Sequence, residues 1–360
     1  MAQGYPSYRF GAIASDRTGN TNFSYRWVKF MSIPWITGIS PDRGPTGSWV
    51  TIYGGNFGYH PLVYFNGVQA TEYNTRNNFF IEAKVPSGDV TGDLWVINPM
   101  GYSSNTMYFL GNAWWIMTAW VNDFPACNGG ESRDYNDDKA LGFSSYLTSF
   151  YGSDFYHTDW PSQAGVLTHM FEEKDKGFGR WDAAWADEVE ILYFASHGGY
   201  AEMTPTHWYG YTGADDPSPN LGCDWRSHNT EFGEIGEGHL KWLVLDACFS
   251  LDLQHDHLFY FWNEAFHGLH MIFGFDGLAS TTWWTHDRGT SFAMNATFWD
   301  APLSEAWLDA AYSFWEGNDP VAMAAGEDIP NCFWRLDNER ILHPVPNINY
   351  PVYFCWTWRD

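Results

Sequence analysis

Two residues in this chain have the types and the settings that covalent chemistry needs. His197 follows the apolar run Val189–Ala195 and is itself followed by Gly198 and Gly199. About fifty residues further on, Cys248 follows the apolar run Leu240–Leu245 through Asp246 and Ala247. If the two runs are neighbouring parallel strands, their carboxyl ends deliver the imidazole and the thiol to one edge of a sheet. An imidazole beside a thiol raises the fraction of thiolate, the nucleophilic form, and can then protonate a leaving amine. Gly198 has no Cβ, so a substrate carbonyl can approach its backbone N–H, which with the N–H of Cys248 would form an oxyanion hole. The chemistry expected is amide cleavage, with Cys248 as nucleophile and His197 as acid and base. Asp246 precedes Cys248 by two residues, so strand alternation places both on one face.

The surrounding elements fit that placement. Val189–Ala195, Leu240–Leu245 and His270–Phe275 are continuous apolar runs of the kind buried on both faces of a parallel sheet. Trp115–Val121 reads as a further strand, and Asp137–Leu147 as a helix opened by acidic residues near its positive end. Ala164–Glu173 is expected to be helical. So is Pro302–Glu316, with Leu303, Ala306, Trp307, Ala310, Ala311 and Phe314 at helical spacing. The alternation predicts an α/β domain over 113–360, a mostly parallel sheet flanked by helices on both faces. The long Gly-, Asp-, Trp- and Pro-rich segment Tyr200–Gly238 falls at the carboxyl side of one strand, where open sheets place their sites.

Residues 34–110 have a different texture. Ser48–Tyr53, Leu62–Phe65, Phe79–Val85 and Leu94–Asn98 are short alternating runs, split by turn signals such as Gly54-Gly55-Asn56, Asn66-Gly67 and Pro86-Ser87-Gly88. They predict a small antiparallel sandwich. Residues 1–33, polar and aromatic with turn-formers Asp16, Gly19 and Asn20, are expected to form an irregular N-terminal arm.

Two resemblances follow from these motifs. Ile36-Thr-Gly-Ile-Ser-Pro41, Val50-Thr-Ile-Tyr-Gly-Gly-Asn-Phe57, Val63-Tyr-Phe-Asn-Gly67 and Val85-Pro86 resemble the IPT/TIG immunoglobulin-like domains, which implies a spacer or binding module. Ile191-Leu-Tyr-Phe-Ala-Ser-His-Gly-Gly199 and Leu243-Val-Leu-Asp-Ala-Cys-Phe-Ser250 resemble the caspase-like (clan CD) cysteine peptidases: caspases, metacaspases, legumains and the gingipain group. Phe249 stands where those peptidases mostly carry a small or polar residue. The later segments Phe266–Phe275, Gly289–Phe292 and Leu303–Trp307 are also similar to a bacterial caspase-fold family with no assigned function. The resemblance implies a caspase-like fold with a Cys248–His197 dyad. It also implies that Asp246 lines the pocket for the side chain before the scissile bond, with a preference there for Arg or Lys.

Composition bounds the remaining classes. With 43 Asp and Glu against 18 Lys and Arg, the net charge of −25 leaves no basic face for phosphate, so no nucleic-acid partner is expected. No apolar run is long enough to span a membrane. MAQGYPSYRF shows neither the basic nor the apolar region of a leader; either a leader was removed or the protein is cytoplasmic, and a secreted or cell-surface protein is the favoured expectation. Five cysteines leave one over after any pairing, and if Cys248 is that one the other four allow three connectivities. No metal site is expected: the cysteines match no zinc pattern, and Gly268 interrupts the group His257, His267 and His270. No cofactor is required. A structural calcium is the alternative considered, at Asp215-Asp216 or at Asp134, Asp137 and Asp138. The expected partners are a peptide or protein substrate and a surface or glycan ligand of the sandwich. The competing readings are a non-catalytic, aromatic-rich binding or self-assembling protein on the same scaffold, and a carbohydrate-active enzyme. In the latter, Trp208–Tyr211 or Trp283-Trp284 would stack on sugar rings.

Overall fold

The computed structural model describes residues 7–15, 21–29, 33–44, 46–87, 90–111, 114–124, 132–151, 155–158, 162, 165–173, 182, 185–200, 208–216, 222–233, 239–253, 262–313, 315–342, 351 and 353–359. At the amino-terminal end, β1 (Ser7–Ser15) and β2 (Thr21–Lys29) pair antiparallel in unbroken register from Ser7↔Lys29 to Ser15↔Thr21. The irregular arm expected over 1–33 is therefore replaced by a hairpin. The alternation of Phe23, Tyr25 and Trp27 carries a strand period that the polar composition of the segment hides.

Nine strands make the next unit: β3 (Trp35–Ser40), β4 (Arg43–Gly44), β5 (Trp49–Gly55), β6 (Leu62–Phe65), β7 (Val68–Gln69), β8 (Tyr73–Arg76), β9 (Phe80–Lys84), β10 (Gly92–Ile97) and β11 (Met107–Gly111). They form two sheets, ordered β3-β5-β9-β8 and β4-β11-β10-β6-β7. Alternate residues point between them, so Val50, Ile52, Val63, Phe65, Ile81, Leu94, Val96 and Phe109 are buried together. The two-residue turn joining β6 to β7 holds Asn66 at φ 44° and Gly67 at φ 86°, the left-handed pair that a tight hairpin requires.

The third unit has ten strands: β12 (Trp114–Trp120), β13 (Phe155–Thr158), β14 (Ile191–Ala195), β15 (Gly198–Tyr200), β16 (Trp208–Asp216), β17 (Gly222–Arg226), β18 (Trp242–Asp246), β19 (Met271–Phe275), β20 (Pro320–Gly326) and β21 (Tyr353–Trp358). Seven of them form one sheet in the order β13-β12-β14-β18-β19-β20-β21; the first five in that order run parallel, β20 is reversed, and β21 pairs antiparallel to β20 and so runs in the direction of the first five. β15, β16 and β17 form a separate antiparallel sheet. In β14, β18 and β19 every residue is buried, as continuous apolar runs demand.

Four helices accompany the sheet: α1 (Asn136–Phe150), α2 (Arg288–Thr297), α3 (Leu303–Ala311) and α4 (Ile329–Asn338). Their apolar sides, through Phe143, Leu147, Phe292, Trp307, Cys332 and Leu336, join one core with Tyr193, Val244 and Phe273. The other face, carrying Leu192, Phe194, Leu243, Leu245 and Ile272, meets Phe171, Trp225, Phe232 and Trp262. Helices on both faces were expected; the four named above lie on one face, and Trp262, whose backbone is helical, packs on the other. Large aromatics from separate segments fill the other side, Trp225 among them from β17, stacked as in Phe171 on Trp225 at 4.3 Å between centroids. Of the helix expected at 164–173, the described residues show 3₁₀ structure, including the turn Thr168–Met170 preceded by an extended Leu167, and no α-helix. The helix expected over 302–316 stops at Ala311, where Tyr312 turns extended.

Cys332 and Cys355 are disulfide-bonded and tie α4 to the edge strand β21, while Cys223 is disulfide-bonded as well. Cys248 is thus the cysteine left over from pairing. No helix among the described residues is long and apolar enough to cross a membrane. The sandwich meets the larger unit through Arg43, whose guanidinium lies 4.4 Å over the Trp115 ring and 3.5 Å from Glu188.

Candidate functional site

The pairing of β14 with β18 sets the site. Ala195 is registered against Asp246, and the Ser196 N–H donates to the Asp246 carbonyl at 3.2 Å. His197 and Cys248 each lie two residues beyond that last pair, so the two strands deliver them to the same carboxyl edge. His197 is half-buried, its ring 4.8 Å from that of Phe124. Cys248 is 8 % exposed. Gly198, expected to help bind an oxyanion, opens β15 and is paired with Gly210. Directly after the thiol, Phe249 holds φ 54°, a left-handed conformation that non-glycine residues adopt at a cost, and its N–H donates to the Gly277 carbonyl. That bond ties the cysteine turn to the loop after β19.

A cation joins the sulfur. Arg133, in the segment leading into α1, is 7 % exposed, and its Nη1 donates to Cys248 Sγ at 3.2 Å and to the Ser196 carbonyl at 3.2 Å. Its Nη2 donates to the Ala279 carbonyl, and the Ala279 N–H in turn lies 3.4 Å from Sγ. One guanidinium therefore fastens the loops after β14, β18 and β19 around the thiol, and it offers positive charge to any anion formed there.

Asp246 has a different role from the one expected. Its side chain is wholly buried; Oδ1 accepts from Arg288 at 2.5 Å and Lys139 at 3.4 Å, and Oδ2 accepts from the Tyr193 hydroxyl at 2.9 Å. Burial by itself would raise the carboxyl, but Arg288 and Lys139 outweigh it and hold it below its ordinary value. The pocket floor open to a substrate's Arg or Lys is corrected to an internal ion cluster, because two cations of the chain already occupy the carboxylate. Lys139 is pushed down to about 7, first by burial and then by repulsion from Arg288 and Arg133 against the pull of Asp246. Tyr193 is raised well above its usual value by burial and by the adjacent Asp246 anion. Same-face placement of Asp246 and Cys248 does hold: Val244, Cys248 and the helices that carry Lys139 and Arg288 share one side of the sheet.

The remaining candidates separate. Within the described residues no group of three or more His, Cys, Asp or Glu is arranged to hold a metal ion, and the side chains of Asp215 and Asp216 fall outside those residues. His267 lies 3.2 Å from Glu231, and His270 is buried against Glu339 at 2.5 Å, while His257 falls outside the described residues. The side chains of Trp208, Tyr209 and Tyr211 also fall outside them. Trp283 and Trp284 are exposed on the loop after β19, Trp283 stacking on His286 at 4.4 Å. Sequence reasoning missed Arg133, Lys139, Arg288 and Ala279. Lys139 carried a signal: it sits four and eight residues before Phe143 and Leu147, on the stripe that must face the core.

A family model described as a domain of unknown function, DUF6345, matches residues 113–341. The chain belongs to the DUF6345 family. An IPT/TIG domain model matches residues 34–109, so this member carries a TIG sandwich ahead of its DUF6345 domain. No curated protein matches it. Among solved structures, a γ-CGTase from an alkalophilic Bacillus clarkii is 18 % identical over 31 % of this chain and 23 % of that one, with a TM-score of 0.21. An auxiliary nutrient binding protein from Bacteroides thetaiotaomicron is 21 % identical over 22 % and 21 %, with a TM-score of 0.20. The surface glycan-binding protein PbSGBP-B from Prevotella bryantii is 18 % identical over 23 % and 22 %, also at 0.20. The chain spans less than a quarter of the length of each of these three structures. Likeness at that level carries no functional argument.

Proposed function

We propose that the strand-end site is a Cys–His site for acyl transfer, and that this DUF6345 protein is a cysteine endopeptidase of caspase-like type docked through its TIG sandwich. The observation that carries the reading is the register of β14 on β18, which sends His197 and Cys248 to one edge two residues past the Ala195–Asp246 pair. The Arg133 guanidinium at 3.2 Å from Sγ supports it, because a charged donor there fixes the sulfur at the strand edge and can pair with an anionic species formed beside it. In this reading His197 exchanges the proton between thiol and leaving amine, and the N–H groups of Gly198 and Cys248 bind the oxyanion. With Asp246 satisfied internally, it contributes no preference for a basic residue. Export of the protein is part of the proposal, since Cys332–Cys355 and Cys223 are disulfide-bonded and such bonds persist in oxidising compartments.

The test is chemical. Iodoacetamide should modify Cys248 in the native protein faster than in a His197→Ala variant, and any hydrolysis of a peptide library should vanish in Cys248→Ala. Equal labelling rates in wild type and His197→Ala would dismiss the dyad. One observation favours a second reading, a non-catalytic scaffold that only binds: Cys248 is 8 % exposed and serves as acceptor for a structural arginine. A thiol that reacts only after unfolding would select it.

A further inference from the structure

We propose that the groove at the α2–α3 connection is a binding site for a neutral oligosaccharide, with Trp299 as its stacking platform. A cavity of about 510 Å³ opens there, lined by Asn295, Trp299, Asp300, Glu305, Asp309 and Arg340 among others. That size lies within the roughly 300–1,000 Å³ of small-molecule sites, but the walls are mainly polar rather than apolar. A second cavity of about 210 Å³ shares Pro302 and Glu305 with the first and extends the groove towards Arg359. An elongated ligand therefore suits it better than a single ring.

Trp299 is 66 % exposed at this groove, and the exposed Phe298 ring braces it edge-on, 4.9 Å between centroids at 88°. An indole held in place with its face in water has a hydrophobic surface that no core contact explains. The C–H face of a pyranose ring is the ligand surface that covers such an indole while leaving its hydroxyls free to reach polar groups.

The charges narrow the ligand further. Arg340 lies 3.9 Å from Asp300, and Arg359 is ion-paired to Asp309. Two of the three carboxylates at the groove thus already face an arginine, so a cationic ligand would compete with internal cations. An anionic ligand would meet Asp300, Glu305 and Asp309 together. A neutral polyol meets neither penalty, because each hydroxyl donates to a carboxylate or accepts from a guanidinium or amide. The proposal does not depend on the Cys–His reading, since no residue of this groove belongs to that site.

The experiment uses the full chain with cellohexaose, xylohexaose, mannohexaose and maltohexaose, each titrated by calorimetry, with spermidine as a cationic control. At least one hexasaccharide should bind with a Kd below about 1 mM. Trp299→Ala should weaken that binding tenfold or more, and Glu305→Gln should weaken it severalfold, both with unchanged thermal transitions because both side chains are exposed. Cys248→Ala should bind as the wild type does. Failure of all four sugars, binding undiminished in Trp299→Ala, or displacement of the sugar by spermidine would each overturn the assignment.

Discussion

Asp246→Asn is the sharpest probe of the ion cluster behind the thiol. The substitution keeps shape and can still accept from the Tyr193 hydroxyl, so its cost is electrostatic. It leaves Arg288 and Lys139 buried side by side without their anion, and breaking a buried pair by removing one partner costs about 3–5 kcal/mol. Lys139 limits that cost: it titrates near 7 already and can shed its proton at neutral pH. Most of the penalty then comes from Arg288, which cannot deprotonate, and about 3 kcal/mol is the expected loss. For a domain of this size, each kcal/mol moves Tm by about 2–4 °C, so a fall of ~6–12 °C is predicted by calorimetry of the full chain. Removing the anion depresses the folded-state pKa of Lys139 further, and the wild-type protein gains its Lys139 proton near pH 7 while the variant does not. The penalty must therefore be larger at pH 6 than at pH 8. Lys139→Met leaves Asp246 and Arg288 as a matched pair and should cost under about 1.5 kcal/mol. A Tm change below about 2 °C in Asp246→Asn, or equal losses in the two variants, would show that Asp246 is not held by these cations.

Three further outcomes follow from other parts of the fold. Arg133→Met removes a charge-assisted bond of ~1.5–3 kcal/mol to Cys248 Sγ and should slow iodoacetamide modification at neutral pH by about tenfold or more; an unchanged rate would detach Arg133 from the chemistry. His270 is lowered to about 4, by burial first and by Arg335 and Lys241 next, against the pull of Glu339. Its folded value lies below its unfolded one, so its contribution to stability is full above pH ~6.5 and lost as pH falls towards 4; His270→Gln should remove roughly 1.4 kcal/mol per pH unit of slope from that window, measured by urea unfolding at several pH values. Joint Cys332→Ser and Cys355→Ser substitution opens a loop of separation 23 and should cost ~3 kcal/mol; wild-type stability in the double variant would mean that β21 is held without the bond.

The strands were legible because burial on both faces forces an unbroken apolar run, and Ile191–Ala195, Trp242–Asp246 and Met271–Phe275 stand close to where such runs fall in the sequence. The emergence of His197 and Cys248 at one edge follows from the same runs once they pair as neighbours. The covering of the second face was not legible. Phe171, Trp225, Phe232 and Trp262 come from four separate segments of different local structure, and a large aromatic can fill a core from any chain geometry that reaches it. Asp246 failed for a different reason. A carboxylate two residues from a thiol looks the same in sequence whether its partner is a substrate or the chain itself. The deciding cations lie far off, Lys139 on α1 and Arg288 on α2. In a chain with only 18 Lys and Arg against 43 acids, cations are scarce enough that each buried one is informative. Arg133, Lys139 and Arg288 are all buried behind or beside Cys248. Buried carboxylates accompany buried cations elsewhere in the domain too, as Glu339 does Arg335, so charge enters this core in opposite-sign groups rather than singly.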